Sequence, residues 1–442
     1  MISPEESITY HTVTSGAMTR EGDVLAEIVE QDEAGQEHAR VLRVPAGLPG
    51  EVVTIAVEEP PAPRPGKKRR HHKPRPPRVW IHEIHQASPL RVEAPCPLFG
   101  TCGGCQLQHM RYDAQLAWKR DVVHRLLQDI GGFEEPPVLP TEPCDIPWHY
   151  RNHMRFSVNR EGQPGLTARG THRVLPLASC PIAHERINRA LSILSQQPNA
   201  RPQLLIRCST QSNQMLIQPC PDEETRQKLA AAGLDVQAET MEEQLGGASF
   251  RIRPSSFFQT NTPQAEKMAQ MVLDGLLSHI PADERRALTV VDAYCGVGTF
   301  ALLLARHVGK VIAIEESASA IRDAQWNLRE TENVEILKGK VEEVLPALPA
   351  TLDGLVIDPP RAGCQPVVLN ALLRHPVSRV VYVSCDPSTL ARDLHILCHS
   401  QSANEQPVYR LLSVQPLDMF PQTAHIECVA TLERINQSDE TV

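Results

Sequence analysis

Three short segments of this sequence carry side chains able to make and break covalent bonds. Ser384-Cys385-Asp386-Pro387-Ser388-Thr389 offers a thiol, Asp358-Pro359-Pro360-Arg361-Ala362-Gly363 a carboxylate beside a guanidinium, and His425-Ile426-Glu427-Cys428 a second carboxylate. A thiolate is a strong nucleophile, and a carboxylate within hydrogen-bond reach can remove a proton from the adduct it forms. A free thiol with a pKa of about 8.5 is mostly protonated at neutral pH, so Cys385 needs a helix N-terminus or a cation nearby. A helix starting around Pro387 supplies the first. Taken singly, Cys385 reads as a small buried residue closing a strand, and Glu427 as an ordinary edge charge.

A fourth segment changes that reading. Asp292-Ala293-Tyr294-Cys295-Gly296-Val297-Gly298-Thr299-Phe300 follows an apolar strand, and its glycines let the backbone turn sharply and approach a ligand. Glu315 ends the next strand, KVIAIE, where an acidic side chain can accept hydrogen bonds from both ribose hydroxyls of an adenosine. Dinucleotide enzymes carry GxGxxG; this shorter DxxCGxGxF loop resembles the S-adenosylmethionine fingerprint of Rossmann-like methyltransferases. A sulfonium donor gives the thiol a use. Carbon 5 of uracil is too weak a nucleophile to attack the methyl, but a thiolate added at carbon 6 makes it reactive. The carbon-5 proton must then be removed, and Glu427 is the candidate base.

Positioning these groups requires a sheet. From residue 259 onward, LTVVDAY, KVIAIE, VEILKG, GLVIDPP and RVVYVSC alternate with helical stretches, which predicts a parallel sheet flanked by helices. Cys385 and Asp358 then fall at carboxyl ends of strands, where open α/β sheets bind ligands. Upstream, DVLAEIVE, ARVLRVP, EVVTIAVEE and WIHEIHQAS are short and rich in β-branched residues, predicting a small barrel. Between them lies less regular sequence with a helix near Tyr112 to Ile130. The expected fold class is α/β plus a β-barrel: a barrel over 1–87, a central α+β domain over 88–258 and a Rossmann-like domain over 259–442. With 442 residues, 41% apolar and 22% charged, several cores are expected. No basic start with an apolar run, and no run of ~18 apolar residues, points to a membrane or to export. A cytoplasmic, monomeric protein is expected.

Net charge is −9, so any nucleic-acid footprint must be local. The proline-dense basic run Pro63–Arg78 is one such footprint, expected as an exposed loop. Cys96, Cys102 and Cys105 place three thiols within ten residues, with Cys180 the best fourth. In a reducing compartment such a set holds zinc or an iron–sulfur cluster. Glycines between the thiols favour the cluster, because backbone N–H groups can approach its sulfurs.

Together, DPPRAG, VVYVSCDPSTL and HIEC, with FRIRPSSFFQTN upstream, resemble the signature of the RNA 5-methyluridine methyltransferases, over nearly the whole chain. The resemblance implies Cys385 as nucleophile and Glu427 as base. It implies Gln259, Tyr294, Gly296, Thr299, Glu315 and Asp358 at the donor, and Phe257 and Arg361 at the target base. CPLFGTCGGC with a distant cysteine is similar to the run with which many members bind a 4Fe-4S cluster. The N-terminal barrel resembles their TRAM domain, an OB-like RNA-binding module, so RNA is the implied partner, ribosomal (23S) first, with transfer RNA as the alternative.

The chain departs from the family at Asp386, where Asn is usual, at Thr299 and at Lys340. Asp386 is expected to raise the thiol pKa by adding charge nearby. A stacked uracil must be splayed out before a thiol reaches carbon 6. Phe257, Phe258 and Gln259 are candidates to receive it, and Tyr150, Arg151, Asn152 and Arg155 to hold phosphates or sugars. Two other readings compete: methylation of an exocyclic nitrogen, which needs no Cys385, and a non-catalytic iron–sulfur RNA-binding protein.

Overall fold

Short strands with alternating burial open the chain in the computed structural model: β1 (Ile8–Thr14), β2 (Val24–Gln31), β3 (Glu37–Val44), β4 (Val52–Glu58) and β5 (Arg78–Gln86). The structure describes residues 8–31, 35–60, 76–197, 201–237, 239–349, 351–400 and 407–435. Most of the basic run Pro63–Arg78 therefore lies outside the described residues. β1, β4 and β5 form an antiparallel sheet in the order β1-β4-β5, and β2 and β3 pair with each other. Val24, Ala26 and Ile28 are buried while Glu27 and Val29 are exposed, the period-two signature of a half-buried strand. The backbone pairing thus makes two small sheets and no continuous barrel among the described residues. β1, with the polar pattern ITYHTVT, was not anticipated from sequence.

Backbone contacts group residues 1–115, 168–171 and 422–424 into one compact unit and the rest into a second, larger one. Helix α1 (Tyr112–Asp129) lies largely in the larger unit. There β6 (His153–Val158), β7 (Pro164–Thr167), β8 (Val174–Pro176), β9 (Gln203–Cys208), β10 (Gln214–Gln218) and β11 (Asp235–Gln237) form a six-stranded sheet, ordered β11-β10-β9-β6-β7-β8. Helix α2 (Glu185–Leu194) buries Ile187, Ala190, Leu191 and Leu194, a spacing that puts all four on one face. Helix α3 (Glu223–Ala231) and the hairpin of β12 (Met241–Leu245) with β13 (Ala248–Ile252) lead to α4 (Thr262–Leu277).

The seven-stranded sheet contains β14 (Thr289–Ala293), β15 (Lys310–Glu315), β16 (Val334–Lys338), β17 (Gly354–Ile357), β18 (Arg379–Ser384), β19 (Tyr409–Leu417) and β20 (Glu427–Arg434). Helices α5 (Thr299–Ala305), α6 (Ala318–Asn327), α7 (Val341–Val344), α8 (Pro366–Arg374) and α9 (Pro387–His399) intervene. The order is β16-β15-β14-β17-β18-β20-β19. The first five strands are parallel, as expected; β20 runs antiparallel to β18 and β19 to β20. The reversal follows from chain length. Only Asp418 to Ile426 connect β19 to β20, whereas a parallel return needs a crossover of about a dozen residues or more.

That connection is pinned from inside. Lys119 on α1 is fully buried and its Nζ meets Asp418 Oδ1 at 2.5 Å and Phe420 O at 3.2 Å. Gln264 Nε2 donates to Asp418 O at 3.1 Å, Asn261 Nδ2 to Met419 O at 3.1 Å and Tyr150 Oη to Pro421 O at 3.0 Å. Among the described residues, no helix is long and apolar enough to cross a membrane.

Removing one member of a buried ion pair strands the other charge, at a cost of about 3–5 kcal/mol. Lys119→Met is therefore expected to destabilise the larger unit by that amount in denaturant unfolding, and adding Asp418→Leu to recover most of the loss. An unchanged midpoint for Lys119→Met would show that the pair does not hold this connection.

Candidate active site

Strand register assembles the reactive groups. In the antiparallel pair of β18 and β20, Ser384 lies opposite Cys428. One residue beyond the end of β18 comes Cys385, and one residue before Cys428 comes Glu427, so thiol and carboxylate share one rim of the sheet. β17 pairs Ile357 with Ala293 of β14 and Tyr382 of β18, and Asp358 follows directly. Glu315 closes β15 on the same rim. The strand order reverses direction at β14 and β17, and the crevice outside such a switch point is where open α/β sheets take ligands.

Charge and burial set the protonation of this rim. Burial raises the Cys385 thiol to about 11, with the Glu427 and Asp358 carboxylates pushing the same way; Arg361 opposes them by its charge and a hydrogen bond to the sulfur. Glu427 is 4% exposed. Its carboxyl is driven well above the usual carboxylate range, first by burial and then by Asp358, against the pull of Arg361. Burial alone lifts Asp358 to about 7. The free site thus holds its thiol protonated, and the expected α9 N-terminus does not outweigh desolvation. Asp386 Oδ1 accepts from Ser388 N at 2.9 Å, capping α9.

The glycine-rich loop shows local strain and local room. Gly296 takes φ +57°, and a Cβ built there meets nothing within 4 Å, so backbone conformation rather than crowding calls for glycine. Gly296 N–H donates to Glu315 Oε2 at 3.0 Å and Ser317 N–H to Oε1 at 2.7 Å, which holds that carboxylate at the mouth of the crevice. Tyr294 also sits at positive φ, +63°, a cost of about 1–3 kcal/mol that marks functional sites. Its hydroxyl donates to Glu342 Oε1 at 3.2 Å. Thr299 is the first residue of α5, and Lys340 precedes α7 as its cap without a side-chain cap bond.

Phe257 is 69% exposed while Phe258 is buried, so only the first is presented outward. Gln259 is half-buried, and its carbonyl accepts from Asn152 Nδ2 at 3.3 Å. Tyr150 and Asn152 are buried and committed within the protein, Asn152 to Thr262 Oγ1 at 2.9 Å, which removes both from the candidate phosphate contacts. Two aspartates escaped sequence reasoning. Asp292, fully buried and raised to about 8 by burial, accepts from Ala301 N at 2.8 Å and fixes the start of α5. Asp323 on α6, also buried, binds Arg253 Nη1 at 2.6 Å and Ser256 Oγ at 2.5 Å, anchoring the segment that presents Phe257. The DxxCGxGxF pattern flags Asp292; nothing local to α6 flags Asp323.

Cys96, Cys102 and Cys105 are half-buried and Cys180 is buried. Gly104 N–H points to Cys102 Sγ at 3.4 Å, and Cys96 raises the Cys102 thiol through its charge, after burial. Among the described residues, however, no three His, Cys, Asp or Glu side chains converge as a metal group.

Comparison with known proteins places this geometry. Residues 224–435 match the model of the tRNA (uracil-5-)-methyltransferase family. An uncharacterized RNA methyltransferase of Gloeobacter violaceus is 36% identical, over 96% of this chain and 96% of its own. Another from Halalkalibacterium halodurans is 34% identical over 79% and 85%. Among solved structures, the tRNA (uracil-54, C5)-methyltransferase of Pyrococcus abyssi, in complex with S-adenosyl-L-homocysteine, has the same fold. It aligns with a TM-score of 0.65 and 23% identity, over 95% of this chain and 99% of that one.

Alkylation of Cys385 by iodoacetamide, followed by peptide mass spectrometry, is expected to rise with pH toward a midpoint near the 11 set by its surroundings. Glu427→Gln removes an anion and should lower that midpoint; Arg361→Gln removes a cation and should raise it. A midpoint near 8 in the unaltered protein, indifferent to both substitutions, would contradict the electrostatic picture.

Proposed function

The chain belongs to the RNA (uracil-5-)-methyltransferase family, and from that premise we propose that it methylates carbon 5 of a uridine through a covalent Cys385 adduct. One observation carries the reading: the β18–β20 register sets Cys385 beside Glu427, with Arg361 bonded to the sulfur. A nitrogen methyltransferase has no use for a thiol there. A purely RNA-binding protein has no use for a buried, raised carboxylate.

S-adenosylmethionine, when bound, supplies the electrophilic methyl group. The crevice residues fit it: Glu315 stands ready for ribose hydroxyls, Gly296 leaves open room, and Tyr294 and Asp358 flank the switch point, with Gln259 and Thr299 as further contacts. Arg361 stabilises the Cys385 thiolate once the thiol proton has passed to solvent water. The thiolate sulfur bonds to carbon 6 of the uracil, and the electron pair of the 5,6 double bond passes into an enolate. Carbon 5 would then bond the methyl carbon, whose bond to the donor's sulfonium sulfur breaks to leave a neutral thioether. Glu427, in its ionised form, removes the carbon-5 proton; the pair left behind re-forms the double bond and expels the thiolate. Its raised affinity for protons suits it to that removal. Phe257, outward-facing, is placed to stack on the splayed base.

Ribosomal RNA is the substrate this reading favours, because of the N-terminal module and the cysteine run; transfer RNA is favoured instead by what the Pyrococcus enzyme modifies. The run Cys96, Cys102 and Cys105, with Cys180 as sequence candidate for a fourth thiolate, supports a structural 4Fe-4S cluster. Methyl transfer requires no electrons, so the cluster takes no part in it.

Cys385→Ala is expected to abolish 5-methyluridine formation, assayed by nucleoside mass spectrometry on ribosomal and transfer RNA. Residual activity within tenfold of the parent would sink the covalent mechanism. Glu427→Gln is expected to accumulate a protein–RNA adduct stable to denaturing electrophoresis, since the methylated intermediate cannot lose its proton. Anaerobically purified protein should contain about four iron atoms; stoichiometric zinc would replace the cluster assignment with a different one.

A further inference from the structure

A group of donors without acceptors lies beside the segment that presents Phe257. Arg207 on β9 is 3% exposed and sits directly opposite His153 of β6. Its Nη2 donates to His153 Nδ1 at 3.1 Å and to Ser256 O at 3.1 Å. Its Nε and Nη1 have no partner. Because His153 Nδ1 accepts that bond, the neutral ring carries its proton on Nε2, and this N–H is also unpartnered. Arg151 Nε and the Thr260 hydroxyl are buried without partners as well. Thr260 O in turn accepts from Asn152 N at 2.8 Å.

The charges agree with the hydrogen-bond deficit. Arg155 lies two residues beyond His153 on β6, on the same face. Burial, and after it the charges of Arg207, Arg151 and Arg155, lower His153 to about 3, so three guanidiniums surround one neutral imidazole. Burial brings Arg207 down to about 10, which leaves it charged at neutral pH, and the carboxylates whose fields reach it are Asp323 and Glu243. Both are engaged elsewhere, Asp323 by Arg253 and Ser256, and Glu243 by Thr210 N and Oγ1 at 2.8 Å each. Buried donors and charges are normally paired. A site with several donors, a net positive field and no acceptor is complementary to an anion rich in oxygens.

We propose that Arg151, His153, Arg155 and Arg207 form a phosphate-binding site for the RNA strand adjoining the target uridine. The inference rests on RNA being the substrate and gives its backbone a point of attachment. Arg155 is exposed and Arg151 half-exposed, so these two reach the phosphate, while Arg207 adds its field from behind in a low-dielectric setting. The link to catalysis is short: Arg207 and Asp323 both hold Ser256, the residue before Phe257. Fixing a phosphate here positions the strand whose base Phe257 receives.

Filter binding of bulk ribosomal and bulk transfer RNA over a salt series tests the site without reference to methyl transfer. Each lost phosphate contact should lower the slope of log affinity against log salt by about 0.7 and weaken binding about fivefold at 0.1 M salt. Arg155→Gln and Arg151→Gln should each do so, Arg155→Lys should restore the slope, and Arg410→Gln, at an exposed ion pair with Glu433 on another sheet, should not change it. Slopes unaltered in both Gln variants, or equally altered by Arg410→Gln, would overturn the site. If the parent protein binds RNA with this slope yet forms no 5-methyluridine, the catalytic reading fails and the phosphate site stands.

Discussion

One strand direction governs this molecule. Because β20 enters the sheet antiparallel, its first residue rather than its last lies at the rim where β14, β15, β17 and β18 end. Glu427 is that first residue. In a wholly parallel sheet it would lie at the opposite rim, the length of the six-residue β18 from Cys385, and no side-chain rotation could reunite the two. The short connection that enforces the reversal is held by Lys119, Tyr150, Asn261 and Gln264, so the position of Glu427 depends on the buried polar contacts of the segment that leads to it.

Desolvation and charge oppose each other at this rim, and desolvation prevails. Three carboxyls, Asp292, Asp358 and Glu427, are raised, and so is the thiol. Arg361 is the cation that acts on both Cys385 and Glu427, which makes one exposed guanidinium the counterweight to several buried acids. A thiolate at rest would present a reactive sulfur to every oxidant and electrophile. Here burial and two carboxylates hold the thiol protonated.

The sheet strands, their order of appearance and the rim motifs were legible in the sequence because each is local: an apolar run, then a polar turn. α9 begins at Pro387 and α1 at Tyr112, where the sequence placed them. The direction of β20 was not legible, since ECVATLER is buried on both faces and such a run reads the same either way. Asp323 and Arg207 were invisible for another reason. Their partners, Ser256, Arg253 and His153, lie roughly fifty to seventy residues away, and no periodicity announces a contact of that span. Tyr150 and Asn152 misled because a polar residue in a basic stretch looks solvated until burial is known.

The Lys119–Asp418 pair joins residues 299 positions apart, and contacts of that separation are the slowest to form. During synthesis the donor crevice and the thiol leave the ribosome before the strand that bears the carboxylate. A half-made chain therefore holds Cys385 with no Glu427 beside it, and the rim is whole only when the last strand has docked.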